Sequence, residues 1–75
     1  MLWFFERGAE LMRIETTHDR ISGVFLLRPQ RPHGTEQVEQ FASDMACRQW
    51  LESLERELRV ENWILRRAQP LDRAR

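Results

Sequence analysis

Residues 43–62, SDMACRQWLESLERELRVEN, decide what the rest of the chain has to supply. Within them Cys47, Trp50, Leu51, Leu54 and Leu58 recur at i, i+3, i+4, i+7 and i+11, which draws one narrow apolar stripe along an α-helix. Ser43 reads as the N-cap, because its hydroxyl can accept a hydrogen bond from a first-turn N–H that has no carbonyl of its own. Asp44 then places negative charge at the positive end of the helix dipole. Away from the stripe lie Arg48, Glu52, Glu55, Arg56 and Arg59, which allow the i,i+4 pairs Arg48–Glu52, Glu52–Arg56 and Glu55–Arg59. Each such pair adds only about 0.2–0.5 kcal/mol. Asn62 reads as the stop, since Asn tolerates positive φ.

Upstream, Val38, Phe41, Ala42 and Met45 also have helical spacing. Advancing about 100° per residue puts them on the side opposite Cys47, Trp50 and Leu54. A phase break near Ala42 and Ser43 resolves the conflict, so residues 35–41 form a separate element.

A helix with one apolar stripe needs one apolar surface to cover it, and the N-terminal half reads as strands that provide it. Residues 2–7 are dense in aromatics and form a first strand. Gly8-Ala9 suits a two-residue type II′ hairpin turn, which sets Arg7 opposite Glu10. Residues 10–17 form a second strand with Met12, Ile14 and Thr16 on one face and the wetter set Leu11, Arg13, Glu15 and Thr17 on the other. After a turn over residues 18–23, residues 24–28 make a third strand, ended by Pro29 and Pro32, which cannot donate to a ladder. Residues 29–34 are the longest loop. Residues 35–41 read as a short fourth strand that returns the meander, with a short helix as the rival reading. Trp63, Ile64 and Leu65 form a short apolar return after the helix. The expected architecture is α+β: a four-stranded antiparallel meander with one amphipathic helix packed on one face, in the order ββββα. It makes a single domain over residues 1–65, followed by a polar, Arg-rich tail over residues 66–75.

Seventy-five residues with three Trp and four Phe form one domain with a thin core. The net charge is zero, which counts against binding nucleic acid mainly through phosphates. All twelve basic residues are Arg, the signature of a GC-rich genome before it is a sign of guanidinium chemistry. A single Cys implies no intramolecular disulfide and no oxidising compartment. The opening MLWFFERG has no basic n-region, and its apolar run stops at Phe5, so it reads as neither a signal peptide nor a membrane span. A cytoplasmic location is the default expectation.

The succession WFFERGAELMRIET, a turn, VFLLR, a Pro/Gly loop and EQVEQFASDMACRQWLESLERELRVENW resembles small bacterial proteins of unknown function over residues 2–63. The ββββα order is also similar to one repeat of the PUR-alpha or Whirly type. That resemblance implies single-stranded nucleic acid bound on a curved sheet and pairing through helices. The absence of Lys and the zero net charge depart from such binders.

No catalytic or metal motif emerges. Cys47, His18 and His33 are too far apart in sequence for a zinc motif. Cys47 lies on the helix stripe and reads as a buried structural thiol, and the two His fall in turns as solvated side chains. Gly8, Gly23 and Gly34 are isolated turn formers without phosphate-binding spacing. No cofactor or metal is expected, and an enzyme is the least supported reading. The informative stretch is the first strand. Trp3 and Phe5 share one face and Leu2 and Phe4 the other, and a single helix covers only one pair. The candidate partner surface is therefore Trp3 and Phe5 with Arg13 and Arg28. The preferred reading is a non-enzymatic interaction module that self-associates as a homodimer. The alternative is a single-stranded nucleic-acid binder, with bases stacked on the aromatics and Arg13 and Arg28 holding phosphates.

Overall fold

A computed structural model describes residues 1–34 and 36–70. Its elements are β1 (Leu2–Arg7), β2 (Glu10–His18), β3 (Phe25–Gln30), β4 (Glu39–Phe41), α1 (Asp44–Val60) and β5 (Ile64–Gln69). The strands make one antiparallel sheet in the order β4-β3-β2-β1-β5. The α+β class, the antiparallel sheet and the single helix are as expected. The strand count is not: the order is ββββαβ, and β5 pairs with β1. Arg66 to Gln69, expected in a polar tail, belong to this strand, whereas residues 71–75 lie outside the described residues. The side chains of β5 are exposed except at its last residue, so the strand shows no buried period. Backbone pairing with β1, which no side-chain pattern reports, holds it in place.

The helix forms as its sequence dictates. Ser43 has an extended backbone and its Oγ accepts from the Ala46 N–H at 3.1 Å. Cys47, Leu51, Leu54 and Leu58 are buried, and Trp50 packs on the core from its rim. At the C-terminal end Asn62 takes the left-handed conformation with φ 72°. The Asn62 N–H then donates to the Arg59 carbonyl at 3.0 Å, and that of Trp63 to the Leu58 carbonyl at 2.8 Å. This is a Schellman closure, and the residues at its two ends, Leu58 and Trp63, are both buried in the one core. The charged face differs from expectation. Arg48 turns back to Asp44, with Nε 2.8 Å from Oδ2, rather than forward to Glu52. That choice keeps a guanidinium beside a first-turn carboxylate.

The β1–β2 hairpin closes on Gly8 at φ 59°, with Ala9 outside positive φ, as a type II′ turn requires. Arg7 and Glu10 face each other, Nε to Oε1 at 3.0 Å. The β2–β3 connection is an Asx turn: the Asp19 carboxylate accepts from the Ile21 N–H at 3.0 Å and its carbonyl from the Gly23 N–H at 2.7 Å. The Ile21 N–H, then the Ser22 side chain, hold the Asp19 carboxyl below its usual range.

Strand β3 runs two residues past its expected end and contains Pro29, which pairs with Ile14 of β2. Strand β4 pairs only with Phe25, Leu26 and Leu27, so Pro29 sits where β3 has become an edge, the setting in which a strand tolerates Pro. The fourth strand exists but is three residues long, Glu39 to Phe41.

Phe5, Met12, Ile14, Leu27, the helix stripe and Trp63 form one core. The helix starts beside Phe41 on β4 and ends where Trp63 lies under the Arg7 guanidinium, 4.6 Å from ring centroid to Cζ. It therefore crosses the sheet on a diagonal and leaves two corners of that face. The β3–β4 loop reaches over one of them, with Arg31 Nη1 3.7 Å from Glu61 and His33 Nε2 3.9 Å from Glu10. The opposite corner stays open.

Candidate functional surfaces

The hairpin register sorts the first strand. With Arg7 opposite Glu10, Phe5 meets Met12 and Trp3 meets Ile14, so Trp3 and Phe5 lie on the helix face. Phe5 is a core residue, 3% exposed, and Trp3 packs against the core from its edge. Arg13 and Arg28 lie on the other face. The four residues of the expected surface are thus divided between two sides of the sheet. The apolar pair of the open face is Leu2 and Phe4. That sorting was already implicit in Gly8-Ala9: once the turn fixes Arg7 against Glu10, the dry residues Met12 and Ile14 name their partners.

The open face is organised in cross-strand rows. One row runs Arg67, Phe4, Arg13, Gln30 across β5, β1, β2 and β3; its neighbour runs Gln69, Leu2, Glu15, Arg28. The Arg67 guanidinium lies over the Phe4 ring, 4.8 Å from its centroid. Arg13 forks onto the Gln30 Oε1 through Nε at 3.1 Å and Nη2 at 2.7 Å. Arg28 points Nη1 toward Glu36 at 3.9 Å, while its buried Nε has no hydrogen-bond partner among the described residues. A β-bulge between Phe4 and Phe5 makes Arg66 the extra residue of β5, and its Nε donates to Glu6 at 2.7 Å. Around these charges the face keeps Leu11 66% and Ile64 53% exposed, with Leu2, Phe4 and Leu26 half-buried.

The open corner on the helix face is a groove of about 480 Å³. Trp3, Thr16, His18 and Phe25 form its floor, and Cys47 and Leu51 its helix wall. His18, expected in a turn, is the last residue of β2 and stacks on its cross-strand partner Phe25 with centroids 4.2 Å apart and planes 7° apart, so it serves as an aromatic surface. Asp44, Arg48, Glu52 and Glu55 stand along the rim. Burial pushes the Cys47 thiol up from its usual range, and the Asp44 carboxylate adds to the push. The sequence alone hid this groove, because it exists only through the diagonal path of α1.

Among the described residues, no group of three or more His, Cys, Asp or Glu is placed to hold a metal ion, and no helix is long and apolar enough to cross a membrane. The chain matches no protein-family model, no curated protein and no solved structure.

Proposed function

We propose that this chain is a small non-enzymatic interaction module that pairs with a second copy of itself through the open face of its sheet. The observation that carries the reading is an uncovered apolar strip, Leu2, Phe4, Leu11, Leu26 and Ile64, set among charges of both signs. The face carries Arg67 and Arg13 as well as Glu6 and Glu15, charges of both signs that a two-fold axis lying parallel to the face can set against each other, as an isologous contact needs. Five strands about 4.8 Å apart make a face of roughly 20 Å by 20 Å, small beside the about 800 Å² per partner of standard interfaces. The expected dissociation constant is therefore micromolar. Light scattering on a sizing column across the micromolar range should show a concentration-dependent dimer. Leu11→Glu and Ile64→Glu alter exposed side chains, leave the fold intact by circular dichroism, and weaken dimerisation at least about tenfold. A monomer at every concentration would sink the reading.

A second reading rests on the row Arg67, Phe4, Arg13, in which an aromatic ring is flanked by two guanidiniums. The ββββα order of the first five elements lends it topological similarity to PUR-type repeats. On this reading single-stranded nucleic acid stacks a base on Phe4. A short oligonucleotide should then shift the amides of β1, β2 and β5 at low salt, and the shifts should vanish as salt rises.

A further inference from the structure

We propose that the corner groove between α1 and the sheet is a binding site for a small organic cation with an aromatic or branched aliphatic body and an ammonium head. The proposal concerns the face opposite the one assigned to self-association and does not depend on it.

Volume, walls and rim each narrow the ligand. A space of about 480 Å³ falls within the roughly 300–1,000 Å³ of small-molecule sites. Its walls are apolar and largely aromatic: Trp3 and Phe25, with His18 stacked on the latter, and Leu51 and Cys47 opposite. They suit a flat or branched hydrocarbon body. The head group is set by charge. Arg48 is engaged by Asp44 at 2.8 Å, which neutralises that stretch of rim. Glu52 and Glu55 remain, three residues apart on one helix, and neither forms an ion pair among the described residues; their two charges outnumber the Met1 ammonium, which also lines the groove and donates to the Thr16 carbonyl at 3.0 Å. Glu55 is half-buried. An anionic head would meet these carboxylates at close range, and a neutral body would gain only the walls. A cation gains both, and an aromatic floor attracts it further through the negative face of the ring.

Two ligands that share a phenyl body test the charge argument: 2-phenylethylammonium and 3-phenylpropanoate, each titrated into the full chain and followed by amide and indole N–H resonances. The expected result is a millimolar affinity for the cation, as suits a fragment of this size. Shifts should appear at the Trp3 indole and the Cys47 and Leu51 amides, and the Trp63 indole at the far end of the helix should stay still. The carboxylate should bind about tenfold more weakly, and the rim variant Glu52→Gln/Glu55→Gln should lower cation affinity about fivefold while retaining the native spectrum. Equal affinity for the two ligands, an unaffected double variant, or no shifts at the Trp3 indole would each overturn the proposal.

Discussion

Burial raises the Cys47 thiol, and the Asp44 carboxylate raises it further, so the proton is held more tightly in the folded chain than in the unfolded one. The sign follows directly: at pH below about 8.5, the unfolded value, the thiol is protonated in both states and the group has no pH effect. Above it the unfolded chain releases the proton first, and stability falls as pH rises. Urea unfolding should therefore show an alkaline loss that Cys47→Ala removes, at a fixed cost for the lost packing. A slope unchanged by Cys47→Ala would contradict this assignment. Trp63 poses a different question. The residue is 4% exposed, and its Nε1 has no hydrogen-bond partner among the described residues. Trp63→Phe keeps most of the packing and removes an unsatisfied N–H, so its expected effect is within about 1 kcal/mol of neutral. Trp63→Ala should cost about 3–5 kcal/mol. Thermal denaturation of the two variants checks the contrast.

At the scale of elements, what was legible in the sequence is what local chemistry decides. Ser43, Gly8 and Asn62 are caps and turns whose roles follow from a hydroxyl, a missing Cβ and a tolerated positive φ. The structure places each as expected, Asn62 at φ 72°. Elements decided by pairing were less legible. β5 depends on the free edge of β1, and its Arg66 and Arg67 gave no apolar alternation to read. Pro29 reads as a strand end because a single sequence does not show where β4 stops. The faces of the candidate surface were hard to read for the same reason: Trp3 and Phe5 alternate correctly, but the side on which α1 lies is a property of the assembled hairpin. Asn62 offers a direct test of its helix end. Asn62→Gly relieves the residual cost of positive φ and should raise stability by a few tenths of a kcal/mol. Asn62→Val should lower it by about 1–2 kcal/mol, because a branched Cβ fits that conformation poorly. Chemical denaturation of both variants measures the difference.

For the molecule as a whole, charge is spread on the outside and balanced. Every ion pair among the described residues keeps both side chains at least 36% exposed. Exposed pairs contribute little and are screened, and a chain with zero net charge has no global self-repulsion for salt to relieve. The melting temperature should thus stay within about 2 °C between dilute buffer and about 0.5 M sodium chloride. A larger change, measured calorimetrically, would mean that the Arg and Glu rows of the open face carry more of the stability than their exposure implies.

The β-bulge that gives β5 its extra arginine bears on solubility. A protein whose isoelectric point is about 6.7 has almost no electrostatic barrier to contact between copies near neutral pH. Among the described residues its sheet nevertheless ends in two outer strands. One is the three-residue β4, too short to template an added strand. The other is β5, where the bulge breaks the regular spacing of backbone donors and acceptors and sets Arg66 and Arg67 side by side. A second strand laid along it would meet an irregular ladder and two bulky arginine side chains, Arg66 held by Glu6 and Arg67 by the Phe4 ring. Protection against fibre growth, which other small proteins draw from net charge, is here placed at a single irregular edge.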